Sequence, residues 1–222
     1  MTIREVNRAS DPLYWPMLEL YVESFPRDER MPLAHIANVA AGDPGMTRGP
    51  HHRQHAALAE VDGQCAGFRY VAYDARAGLG AYIFMVVDPA YRQRGIGEQL
   101  LAFGRELCER DAAELGGRLD AIMVECERPE LGATDADRQW RRDRIAYFQR
   151  RGAVLVSPTY HQPALRPDTD RVPLTLLSFP IADRLDWADV VRRFHRYMLG
   201  YVPDSPDERE TLAGLVATEF RR

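Results

Sequence analysis

The chain has 222 residues, of which 45% are hydrophobic and 28% charged, and its formal net charge is −4. That is an ordinary globular composition, long enough for one large domain with an appendage. No apolar run approaches the roughly 18 residues needed to cross a bilayer. The N-terminus, MTIREVNRASDP, lacks the apolar stretch of a signal peptide, so a cytoplasmic protein away from membranes is expected. The acidic balance argues against nucleic acid as the main partner and is compatible with a cationic substrate. All 29 basic residues are arginine, which together with the many alanines fits a GC-rich coding sequence. Cys65, Cys108 and Cys126 are odd in number and far apart, as suits free thiols in a reducing compartment.

In chain order, residues 2–7 alternate like a strand, and Asp11 offers a helix cap before Pro12. Leu13, Met17, Leu20 and Tyr21 then recur at helical spacing. The segment 25–30 breaks that helix and opens a second, running to about Ala41. Residues 42–53, rich in Gly, Pro and His, read as a loop. Strands are expected at 55–61, 65–73 and 81–87, the first two joined by the hairpin signal Asp62-Gly63. From Ile96 the apolar residues follow a helical period through Leu100, Leu101, Phe103, Leu107 and Leu115. A strand at 119–126, a charged helix at 135–151 and strands at 153–156 and 172–179 complete this block. The order β-α-α-β-β-β-α-β-α-β-β implies an α/β (α+β) fold with a mixed, mainly antiparallel central sheet flanked by helices. Residues 182–222 form a separate helical extension, with patterns at 187–199 and 207–221, behind a domain of residues 1–181.

The residues with the clearest chemistry are Val87-Asp88-Pro89-Ala90-Tyr91-Arg92-Gln93-Arg94-Gly95-Ile96-Gly97. Arg92-x-x-Gly95-x-Gly97 lies between a strong strand and a strong helix. Glycines there let the backbone approach an anion, and the helix N-terminus adds free N–H groups and the positive end of its dipole. The pattern is that of an anion-binding turn.

This stretch, "MVVDPAYRQRGIGEQLL", resembles the GNAT superfamily of acetyl-CoA-dependent N-acetyltransferases, over about residues 2–180. The resemblance implies an acyl-CoA N-acyltransferase fold and direct acetyl transfer from acetyl-CoA to a primary amine, carried by a small molecule or a peptide. It places the coenzyme against Met85, Val87, Arg92, Gln93, Arg94, Gly95, Ile96, Gly97 and Glu98. It also implies a splay between the strand ending at Val87 and the next one, which admits the acyl group. Family members are often dimers, which makes a homodimer a candidate state. The family's usual general acid is a Tyr four residues before a Gly. Here Phe148 holds that position before Gly152, and Tyr147 is its neighbour. Adjacent helical positions point about 100° apart, so Tyr147 is either the acid or a packing residue. A non-catalytic coenzyme-binding module is the alternative that Phe148 favours.

A base is also needed to deprotonate the acceptor ammonium. Glu125 and Glu127 share one face of an extended strand end, and like-charge proximity would raise one of their pKa values. Glu125, deeper in the strand, is the preferred base; Glu127 would hold a cationic substrate. Cys126, between them, faces the other way as a small buried hydrophobe. Asp28 and Glu29, between the first two helices, and Tyr160, in Tyr160-His161-Gln162-Pro163, are the other acceptor candidates; His161 is a base or a plain loop residue. His51-His52-x-x-His55 lacks the context of a metal site, and no metal is expected. Trp187, Val190, Val191, Phe194, Tyr197 and Met198 make the extension a lid, a dimer contact or a pocket wall lent to a partner subunit.

Overall fold

The computed structural model describes residues 1–27, 29–46, 48–200 and 203–216. Its elements are β1 (Thr2–Val6), α1 (Tyr14–Ser24), α2 (Leu33–Ala40), β2 (His52–Val61), β3 (Gln64–Asp74) and β4 (Leu79–Val87), then α3 (Ile96–Glu114), β5 (Ala121–Glu127), α4 (Asp135–Gln149), β6 (Val154–Gln162) and β7 (Val172–Pro180). The strands form one seven-stranded sheet in the order β1-β2-β3-β4-β5-β7-β6. All neighbours are antiparallel except β4 and β5, which run parallel because α3 crosses between them. This is the mixed sheet flanked by helices that the element order implied.

Local chemistry explains the main boundaries. Asp62 and Gly63, with φ of 49° and 75°, make the tight turn between β2 and β3. Thr134 caps α4 by accepting from the Asp137 N–H (3.1 Å), and the Asp137 carboxylate accepts from the Ala133 N–H (2.9 Å). Asp11 accepts from the Leu13 N–H (2.9 Å), bracing the turn that leads into α1.

The sheet carries helices on both faces. On one, α1 and α2 bury Met17, Tyr21 and Ile36 against Leu58, Phe68, Tyr70 and Phe84. On the other, α3 and α4 bury Leu101, Leu107, Cys108 and Phe148 against Val71, Ile122 and Val124. Beyond β7, α5 (Trp187–Arg193) runs into a π-helical turn (Phe194–Leu199), and α6 (Pro206–Ala213) follows. Trp187, Val190, Phe194 and Met198 pack under β3, β4 and β5 in a third cluster. No helix of the described residues is long and apolar enough to cross a membrane.

Four boundaries differ from the sequence reading. α2 begins at Leu33 rather than directly after residue 30, and β2 begins at His52, inside the expected loop. β6 extends to Gln162, so Tyr160 and His161 are strand residues. Pro158 hid this: β6 is an edge strand with a register shift between Ser157 and Tyr160, where a proline is tolerated. α6 ends at Ala213, and residues 217–222 of the expected last helix lie outside the described residues.

The histidine cluster is divided by the sheet. His52 faces the cavity described below, whereas His55, three residues on, faces α3. Its Nε2 meets Asp111 Oδ2 at 2.7 Å and its Nδ1 meets Glu5. Burial alone would lower the imidazole pKa, but the hydrogen bonds and charges of Asp111 and Glu5 outweigh it and raise the pKa to about 9. A raised native pKa stabilises the fold fully below the unfolded value near 6.5 and loses that contribution as pH rises through 9. A shift of that size is worth on the order of 3 kcal/mol. His55→Gln is therefore expected to lower the Tm at pH 6 and to have much less effect at pH 10. Equal losses at both pH values would refute the charged state.

Candidate acyl-transfer site

The site begins where β4 and β5 part. Their parallel ladder runs from Leu79–Ala121 to Tyr82–Val124 and stops. The cause lies in β4: Val71 of β3 pairs with Tyr82 and Tyr70 with Phe84, leaving Ile83 as an extra residue. Such a bulge turns a strand away from its neighbour and is a frequent device beside active sites. Ile83 and Phe84 consequently face the gap together with Glu125 and Glu127 of β5.

On the α3 and α4 side of this gap lies a groove of about 970 Å³. Met85, Val87, Arg92, Gln93, Gly95, Ile96, Gly97 and Glu98 line it; Arg94 instead lies with its guanidinium 5.3 Å from the Tyr91 ring centre. Asp88 accepts from the Ala90 N–H (2.8 Å), turning the chain after β4. Arg92 folds back, its Nε donating to the Val87 carbonyl at 3.2 Å. Gly95, at φ 76° and ψ 0°, is the left-handed residue that opens α3. The first-turn N–H groups behind it have no intrahelical acceptor, and the helix dipole adds positive potential there. A side chain at Gly97 would place its Cβ 2.8 Å from the Tyr147 hydroxyl, so only glycine keeps this corner open.

α4 supplies the facing wall with Trp140, Arg144 and Tyr147, and Arg151, just past its C-terminus, continues this stripe, which sequence reading had not assembled. The Arg151 guanidinium stacks 3.8 Å from the Tyr147 ring centre, and Arg144 lies 5.5 Å from that of Trp140. The Tyr147 hydroxyl is buried and meets no hydrogen-bond partner among the described residues. Burial raises its pKa, partly offset by the Arg151 charge. Phe148 points the other way, 3% exposed, against Phe179 in the core. Tyr147, and not Phe148, faces the groove.

Across the gap, the two glutamates separate in character. Arg144 Nη1 donates to both oxygens of Glu127 at 2.9 Å, so the charge of Glu127 is engaged within the wall rather than offered to a substrate. Among the described residues no cation lies on Glu125. Its carboxyl group accepts from the Tyr160 hydroxyl and from Gln162 Nε2 (2.9 Å). Burial raises the Glu125 pKa, outweighing these two hydrogen bonds, which lower it. The cause is desolvation, and the like-charge effect of Glu127 expected from the strand pattern does not contribute. Tyr160 is thus fully buried and holds Glu125 in place instead of lining the acceptor space. Cys126 is buried on the opposite face, its thiol pushed up to about 12 by burial. Glu29 lines the gap with Glu125 and Arg144, whereas Asp28 lies outside the described residues. His161 pairs with Glu210 of α6 at 3.1 Å, away from the gap.

Glu125 also lies at the edge of a second cavity, of about 70 Å³, on the α1 and α2 side of the sheet. Phe194, Met198 and Leu199 of the π-helical turn form one of its walls. The extension therefore closes a pocket of its own chain. The arrangement is a groove with a helix N-terminus at one end, a gap in the sheet lined by Glu29, Glu125 and Glu127, and a smaller pocket beyond it that only Glu125 of the three also lines.

Residues 52–152 match the acetyltransferase (GNAT) domain family. A putative GNAT-family acetyltransferase from Bacteroides thetaiotaomicron is similar in structure, with a TM-score of 0.64, 23% identity, and 91% of this chain and 100% of that one covered. An aminoglycoside 6'-N-acetyltransferase solved with coenzyme A aligns with a TM-score of 0.50 and 17% identity, covering 84% and 100%. The aminoglycoside 6'-N-acetyltransferase of Enterococcus faecium gives 0.52 and 16%, again covering 84% and 100%. These likenesses establish the shared fold. No curated protein matches the chain in sequence.

Proposed function

We propose that the protein transfers an acetyl group from acetyl-CoA directly to a primary amine. The observation that carries this reading is Glu125: a desolvated carboxyl group with no cation on it, at the one passage between groove and pocket. The groove fits the coenzyme, because the Gly95–Gly97 corner leaves backbone N–H groups exposed and the Tyr147 hydroxyl stands beside it unpaired. Met85, Val87, Arg92, Gln93, Gly95, Ile96, Gly97 and Glu98 would hold the coenzyme, whose thioester supplies the activated acyl carbon. Glu125 takes the proton from the acceptor ammonium. The free amine attacks the acyl carbon, the C–N bond forms and the C–S bond breaks, and the nitrogen sheds a second proton to solvent as the amide forms. Tyr147 gives its proton to the departing sulfur, and Arg151, stacked on its ring, eases the charge this leaves on the phenol. Residues 1–181 carry this chemistry, and residues 182–222 close the acceptor side.

Thiol release from acetyl-CoA in the presence of an amine panel tests the function. Amine-dependent release is expected, reduced about tenfold or more in Tyr147→Phe with unchanged coenzyme affinity. Coenzyme binding with no release for any amine would favour a non-catalytic module.

A further inference from the structure

We infer that the acceptor is a small primary monoamine with an apolar body, held through two of its N–H groups by Glu125 and by Gln162, a residue so far without a role. This inference rests on the acetyl transfer proposed above.

Gln162 is 5% exposed and faces both the gap and the pocket. Its Nε2 donates to Glu125, which fixes the amide orientation, because the carboxylate can only accept. The other end of the amide, Oε1, is buried without a donor among the described residues. A buried acceptor left unpaired is costly, and here it stands beside the carboxylate at the passage. An ammonium group on Glu125 has further N–H groups to donate, and Gln162 Oε1 is the acceptor placed to receive one. After Glu125 has taken a proton, a primary amine still keeps two N–H groups. A secondary amine keeps one, and its extra alkyl group would have to lie against the polar pair.

The rest of the pocket defines the body of the acceptor. Among the described residues Glu125 is its single carboxylate, and Arg48 is its single permanent cation. His52 adds no charge at neutral pH, since burial pushes its pKa down to about 4. The Gln54 amide is spent on Met46, His35 and Tyr70. The remaining wall is largely apolar, with Ile83, Met123, Phe194 and Met198 among its members. One positive charge is matched in such a space. A second ammonium would meet apolar side chains or Arg48, without a counter-ion. At about 70 Å³ the pocket is about half the size of a cavity that takes up benzene (roughly 150 Å³), so it admits a short alkyl chain and not a multi-ring aminosugar.

The test is steady-state thiol release from acetyl-CoA by the full chain, with butylamine, N-methylbutylamine, spermidine and kanamycin as acceptors. Butylamine should exceed each of the other three in kcat/KM by about tenfold or more. Spermidine or kanamycin equal to or better than butylamine would overturn the monoamine class and leave acetyl transfer standing. Equal rates for the N-methyl amine would overturn the two-point hold by Glu125 and Gln162. No release with any acceptor, by a chain that binds coenzyme A in calorimetry, would overturn both the inference and the function beneath it.

Discussion

Glu125→Gln is expected to lower kcat by about a hundredfold or more, the usual contribution of a positioned general base, while the affinity for acetyl-CoA stays unchanged. The carboxyl group lies across the gap from the groove beside Gly95–Gly97 and is held by Tyr160 and Gln162. Glutamine keeps the shape and can still accept from the Tyr160 hydroxyl, but it takes no proton. Burial raises the Glu125 pKa, so the wild-type rate should climb with pH as the group ionises. The variant should lack that acidic limb. Stability supplies a control of the opposite sign. A native pKa raised above the unfolded value makes ionised Glu125 a cost to the fold once pH exceeds it. The variant should therefore be no less stable than wild type at neutral pH. A retained acidic limb, or full activity, would remove Glu125 from the mechanism.

The second large effect belongs to the other end of the site. Gly95→Val should weaken acetyl-CoA binding by about a hundredfold or more, with the fold intact by circular dichroism. Gly95 sits at φ 76°, and an added Cβ would meet no protein atom within 4 Å. Bulk alone thus disturbs nothing in the protein; backbone strain does. A left-handed conformation costs an ordinary residue roughly 1–2 kcal/mol, and a β-branched one is an outlier there. The first turn of α3 can relieve that strain by rotating, and rotation moves the N–H groups that face the groove. Gly95→Asn separates strain from bulk, because Asn enters the left-handed region readily. It should retain more affinity than the valine variant by calorimetry. Undiminished binding by Gly95→Val would dissociate this turn from the coenzyme.

Much of the architecture was legible because it follows from local periodicity and turn chemistry. The alternation through β2 and β3, the Asp62-Gly63 turn and the change to a helical period after Gly95 each depend only on neighbours in sequence. The strand β6 was cut short because Pro158 reads as a terminator unless the strand is known to lie at the sheet edge. The bulge at Ile83 has no local signal at all: it is a mismatch in length between β3 and β4, visible only once they pair. The same limit applied to the site. The strand period put Glu125 and Glu127 on one face, but only packing brought Arg144 onto Glu127 and left Glu125 desolvated.

The Arg92–Gly97 turn was specified by the sequence alone, since a glycine-rich link between a strand and a helix makes an anion cradle from its own backbone. What happens opposite that cradle was decided by tertiary structure. Side chains far apart in the chain meet there: Tyr147 comes to stand over Gly97, Gln162 and Tyr160 reach Glu125, and Phe194 and Met198 close the far pocket. The charge state and accessibility of each depend on burial and on partners supplied by other elements. Residue type and spacing carry neither, so the turn itself was readable in one segment and the surroundings of Glu125 and Tyr147 were not.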